Sequence, residues 1–250
     1  MRWLALFLFV ALPAWGESVV LGLSQNEIAI TTSFDGSEIL IFGAVKREVP
    51  VPDGPELEVI ITVAGPSVPV MVRRKDKRVG IWVNTDAVEV DRAPSFYAVA
   101  TSGLLRDVLR DTEDLRYQIS VPRAIRSVGA PMSITDAPAF TEALIRIRSE
   151  ASLYQLRENQ VAVDEQTLFR ARIELPAALT EGAYATRIFL TRDGQVVSSY
   201  ETSIDVRKVG LERWLFSLSR QQPIIYGLMS LAIAIFAGWG ASAAFSLLRN

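Results

Sequence analysis

From Ser18 to Val90 apolar and polar positions alternate in short runs broken by turn residues, the period-two signature of half-buried strands. The pattern predicts strands over residues 18–23, 27–33, 37–45, 56–64, 68–74 and 79–90. Asp35-Gly36, between ITTSF and SEILIF, predicts a hairpin turn, and Pro50, Pro52, Gly54 and Pro55 predict a loop. The same rhythm returns from Val161 to Lys208, where Phe169–Leu175 alternates and Asp193-Gly194 predicts a second hairpin. Tyr184, entering the strand before that turn, sits where the tyrosine corner of an immunoglobulin-like sandwich would lie. Strands about ten residues apart suit a sandwich better than a βαβ sheet.

Residues 94–158 break the alternation. Gly103–Arg110 carries Leu104, Leu105, Val108 and Leu109 at helical spacing, and Thr141–Leu156 reads likewise. Pro122, Gly129, Pro131 and Pro138 punctuate the stretch between. The expected fold is therefore mainly β: an immunoglobulin-like β-sandwich over residues 17–208, with a helical insertion at about 94–158.

The chain then changes character. From Pro223 to Leu248 no residue is charged. As an α-helix at about 1.5 Å per residue that run reaches roughly 39 Å, and about 20 apolar residues cross a bilayer core. Residues 223–248 are read as a transmembrane helix, with Pro223 in its first turn. Before it, residues 209–222 form a juxtamembrane segment whose Leu211, Trp214, Leu215 and Leu218 share one helical face, Arg213 and Arg220 falling elsewhere. That segment reads equally as an extension of the spanning helix.

At the other end, Met1–Gly16 has the pattern of a secretory signal peptide: Arg2, an apolar run Trp3–Leu12, Pro13, and small residues at Ala14 and Gly16. An uncleaved signal anchor is the alternative. Both place residues 17–222 on the far side of the membrane. Arg207, Lys208, Arg213 and Arg220 then flank the span outside, against Arg249 inside, the reverse of the positive-inside bias. The N-terminal segment is given precedence because it directs translocation before the last helix is made.

Composition removes several chemistries. The chain of 250 residues contains no Cys and no His, so disulfides, thiol nucleophiles, cysteine zinc sites and the commonest general base are absent. A net charge of −2 provides no global field for nucleic acid. No nucleotide-binding or serine-hydrolase fingerprint is present. Neither a catalytic residue nor a cofactor or metal ligand is assigned, and no enzymatic activity is expected.

Three groups of residues remain as candidate sites. Ser230, Ala234, Gly238, Ser242 and Ser246 place a small side chain every fourth position along the span, which would let another helix approach closely. Small residues are also common in spans generally. Arg73, Arg74, Lys75, Lys77 and Arg78 set five positive charges against Asp76, a docking site for an anion, an acidic partner or lipid headgroups, or simply a solvated hairpin tip. Asp107, Asp111, Glu113 and Asp114 are interleaved with Arg106, Arg110 and Arg116, which favours helix-surface ion pairing over hydrolysis or Ca²⁺ binding.

The blocks GSEILIFGA (36–44), GPSVPVMVRRKDKRVGIWVNTD (65–86), APSFYAVATS (93–102) and QPIIYG (222–227) resemble the alphaproteobacterial family of transmembrane proteins that has one C-terminal span and no assigned activity. The GP…RRK…GIWVN block is the most specific. The resemblance implies a periplasmic domain on one C-terminal helix, frequently encoded beside a permease resembling sulfite exporters, and carries no catalytic residues. The expected function is a non-enzymatic accessory or binding subunit of a membrane assembly such as that permease. The alternative is an envelope sensor or a carbohydrate- or cell-wall-binding module, which would show Trp82, Phe96 and Tyr97 on an exposed patch.

Overall fold

A computed structural model describes residues 18–25, 27–31, 34–47, 54–127, 134, 136–209 and 211–248. The proposed signal peptide at 1–16, with Pro50, Pro52, Gly129, Pro131 and Arg249, lies outside the described residues. The elements in order are β1 (Ser18–Leu23), β2 (Glu27–Ile30), β3 (Gly36–Lys46), β4 (Glu58–Ala64), β5 (Ser67–Arg78), β6 (Ile81–Pro94) and β7 (Tyr97–Thr101). The helices α1 (Leu105–Val108), α2 (Asp111–Tyr117), α3 (Val121–Ala124) and α4 (Ala137–Glu150) follow. Then come β8 (Tyr154–Arg157), β9 (Val161–Asp164), β10 (Leu168–Pro176), β11 (Gly182–Arg192), β12 (Gln195–Lys208), α5 (Leu211–Gln221) and α6 (Pro223–Leu248). The described residues within 18–25 and 35–205 form one compact unit; those within 27–34 and 206–248 form another.

The fold is mainly β. One sheet runs β1-β3-β10-β9, a second β2-β12-β11-β4-β7-β8, and β5-β6 make a separate two-stranded ribbon. In the first sheet β10 buries alternate residues, Phe169, Ala171, Ile173 and Leu175, as a strand with one face on the core must. Their register against β3 sets Ile173 beside Ile39 and Ala171 beside Ile41, all interior. Phe169 pairs with Gly43, where a Cβ would lie 2.5 Å from the Phe169 ring and 2.7 Å from the Val20 carbonyl oxygen. The missing side chain leaves room for the ring to lie across the strand.

The second sheet is covered on both faces at β4 and β7. All five residues of β7, and Val59–Val63 in β4, are buried. One face of this pair, with Ile60, Tyr97 and Val99, packs with Val108, Leu109, Ile119, Ile125 and Leu144 of the helical insertion. Pleating sends Ile61, Val63, Ala98 and Ala100 to the opposite face, towards the first sheet. Each fully buried Val, Ile or Leu contributes about 1.5–3 kcal/mol through removal from water. The insertion is thus a third layer with a core of its own.

Several elements differ from the sequence reading. Asp35-Gly36 is not a hairpin turn, because β2 joins β12 in one sheet whereas β3 joins β1 and β10 in the other. Tyr97–Thr101 and Tyr154–Arg157, read as parts of the insertion, are strands paired in parallel, Tyr97 opposite Tyr154. The expected helix at 103–110 is the single turn α1, and the expected helix at 141–156 starts at Ala137 and stops at Glu150. The second hairpin is present: Asp193 and Gly194 both have positive φ (49° and 71°), as a two-residue type I′ turn requires. The Tyr184 hydroxyl donates to the Thr180 carbonyl at 2.8 Å, the bond of a tyrosine corner.

Candidate functional site

The basic run lies on β5 itself, not in a turn. The turn is Val79-Gly80, with φ of 51° and 85°, and strands continue to it from both sides. Arg78 pairs with Ile81, Lys77 with Trp82, Asp76 with Val83 and Lys75 with Asn84, so Lys77, Trp82 and Lys75 share one face. Arg74 is taken up structurally: its guanidinium meets Asp136 at 2.5 Å and Asp86 at 3.8 Å, and stacks 4.5 Å from the Phe140 ring of α4. Arg78 and Asp76 form an exposed pair at 3.8 Å. Arg73, Lys75 and Lys77 carry no ion pair among the described residues. The sequence reading missed the apolar end of this ribbon: Val79 is 103% exposed, Trp82 68% and Ile81 64%. The Val-Gly pair between two β runs was the signal that could have found it.

The acidic cluster serves mainly to hold the insertion together. Asp114 accepts from the Ile119 and Ser120 amides at 3.0 and 2.7 Å and from the Ser120 hydroxyl at 2.6 Å, fixing the step from α2 to α3. Glu113 accepts from the Val196 amide at 3.3 Å. Glu158 accepts from Leu105 N–H at 2.8 Å, satisfying an orphan donor at the start of α1. Ion pairing, the sequence expectation, describes Asp107 with Arg106 at 3.6 Å, whereas Arg110 turns to Asp193. Asp111, Asp114, Glu158 and Arg106 line an open depression of about 410 Å³. Among the described residues no group of three or more acidic side chains is placed to hold a metal ion.

The aromatic residues divide sharply. Phe96 and Tyr97 are interior, 0% and 1% exposed, so Trp82 alone of the three expected on a binding patch reaches solvent. Tyr97 donates to the Ile119 carbonyl at 2.8 Å and accepts from Arg187 at 3.2 Å, while Arg187 also holds the Tyr117 and Gln118 carbonyls. Burial raises the Tyr97 pKa, with Arg187 opposing. Tyr154 donates to the Pro94 carbonyl at 2.8 Å; burial pushes its phenol up to about 12 despite Arg148. Burial raises Tyr184 as well.

In the second unit, Gln222 N–H donates to Leu218 O at 2.9 Å, so α5 runs to the edge of α6 before Pro223 withdraws a donor. Trp214 and Phe216 of α5 are exposed. Residues 223–242 are apolar enough to cross a membrane, with a mean hydropathy of 1.8 and none of that window buried within the chain. Ser230, Ala234, Gly238, Ser242 and Ser246 all fall on α6, at intervals of one turn and a little more. Ser230 returns its hydroxyl to the Tyr226 carbonyl at 2.9 Å, the intrahelical bond that satisfies a hydroxyl in lipid. A Cβ at Gly238 would meet nothing within 4 Å.

Among the described residues, a β-sandwich body and one apolar helix that the rest of the chain leaves uncovered mark a membrane-anchored protein. The family model described as "Putative transmembrane protein (Alph_Pro_TM)" matches residues 18–246, and the chain belongs to that family. No curated protein matches it.

Proposed function

We propose that this protein is a non-enzymatic accessory or binding subunit of a membrane assembly, anchored in the bacterial inner membrane with its sandwich in the periplasm. The observation that carries the reading is α6: 26 residues without a charge, no part of its spanning window covered by the rest of the chain, and a small residue at every fourth position from 230 to 246. In lipid such spacing favours close helix–helix packing. The signal-like N-terminus supports the periplasmic orientation. A permease resembling sulfite exporters is the partner class implied by the family resemblance.

Other features favour binding over catalysis. His and Cys are missing from the chain, and of the acids lining the depression Asp114 and Glu158 are committed to backbone amides. The carbohydrate-binding alternative is weakened because Phe96 and Tyr97 are interior. The test is affinity purification of the tagged full chain after crosslinking in cells, comparing wild type with Gly238→Leu. A specific integral-membrane partner lost in the variant supports the proposal. No membrane partner in either, together with a monomeric native mass in detergent, contradicts it.

A further inference from the structure

We propose that the free end of the β5–β6 ribbon binds an anionic phospholipid surface, Val79, Ile81 and Trp82 entering the interface while Lys75, Lys77 and Arg78 meet the headgroups. Two-residue type I′ turns favour Asn or Gly at the first position, because a β-branched residue is strained at positive φ. This ribbon has Val79 there, at φ 51° and fully exposed, followed by two further large apolar side chains that nothing in the ribbon covers. In water that choice costs backbone strain and leaves apolar surface wet. At a bilayer interface the same residues are removed from water.

The charges fit the same surface. Lys77 lies directly across from Trp82 and Arg78 directly across from Ile81, so two of the three apolar residues at the end face a cation across the ribbon. Long cationic stems lie along apolar surface while their heads stay among phosphates, and Trp is enriched at that depth. Asp76, the one acid in the run, is offset by Arg78, and Arg74 is held by Asp136, which leaves Arg73, Lys75 and Lys77 without an ion-pair partner among the described residues. An acidic protein would satisfy the cations but would not explain three exposed apolar residues at the very turn. The span keeps the chain at a membrane, so lipid is the surface nearest at hand for the tethered domain.

The chain contains no Cys, so one introduced thiol reports a single site. The full chain carrying an environment-sensitive nitrobenzoxadiazole dye on Val79→Cys is placed in nanodiscs of phosphatidylcholine alone or with added phosphatidylglycerol. Val20→Cys, at another exposed valine, serves as the reference. The expected result is blue-shifted emission at position 79, quenched by spin-labelled lipid, in anionic discs and not at position 20. Reversing Lys75, Lys77 and Arg78 to Glu lowers the bound fraction, with partitioning falling roughly 100-fold or more. These positions are exposed, so an unchanged melting temperature verifies folding. Water-like, unquenched emission at position 79 in both discs overturns the proposal. So does a shift insensitive to charge reversal, or one that occurs only when an acidic protein is added.

Discussion

Replacing Tyr97 by Phe removes one oxygen from the seam between β7 and the helical insertion. The ring keeps its place beside Ile60, Val99 and Ile119, so apolar burial is nearly unchanged. Three contacts are lost: donation to the Ile119 carbonyl at 2.8 Å, its longer branch to the Gln118 carbonyl at 3.3 Å, and acceptance from Arg187 at 3.2 Å. A neutral buried bond contributes about 1 kcal/mol net, and one to a charged group about 1.5–3 kcal/mol. Arg187 retains the Tyr117 and Gln118 carbonyls, so the charged bond is only partly forfeited. The expected cost is about 2 kcal/mol, which for a domain of 150–250 residues lowers Tm by roughly 4–8 °C. Thermal unfolding of the full chain in detergent, followed by far-ultraviolet circular dichroism, reads the shift. Tyr200→Phe, at a half-exposed position on β12, is the control and should move Tm little. Equal shifts in the two variants would refute the assignment of Tyr97 as the tie between sheet and insertion.

Further expectations follow from the same packing. Gly43→Ala puts a Cβ 2.5 Å from the Phe169 ring and 2.7 Å from a backbone oxygen, so it should destabilise by about 1–3 kcal/mol, measured by urea unfolding. Asp114→Ala strands two amides and a hydroxyl and should cost about 2–3 kcal/mol, with proteolysis beginning between α2 and α3. In alkali, a folded phenol with a raised pKa holds its proton longer than the unfolded chain does. Its stabilising contribution is complete below pH 10 and is lost as pH rises towards 12, about 2–3 kcal/mol for Tyr154. Tyr154→Phe should flatten that fall in a pH series of urea midpoints; an unchanged slope would contradict the burial argument.

Much of the sandwich was legible because its strands expose one face. β1, β3 and β10 alternate, and Asp193-Gly194 announces its own turn. Strand β7 was not legible, since YAVAT is buried on both sides and a strand covered on both faces does not alternate. Its cover is the insertion, which helical spacing revealed while hiding the strand beneath. Pro138 was read as a break, but it sits in the first turn of α4, where a missing N–H costs nothing. Asp35-Gly36 carried a hairpin signal, but β2 and β3 go to different sheets, a tertiary choice that no local pattern records. At the candidate sites, the basic run was visible as charge, whereas the commitment of Arg74 to Asp136 depends on α4 and could not be read from spacing.

The most direct measurement is face-specific photocrosslinking from α6 in living cells. A photoreactive amino acid is placed at Ala234, within the small-residue stripe, or at Phe236, which the helical repeat of about 100° per residue puts well off that stripe. Recognition of a membrane partner by α6 predicts a discrete protein adduct from position 234 that is weak or absent from position 236. Protein adducts from neither position, or equal adducts from both, would contradict it and leave the helix as a tether alone.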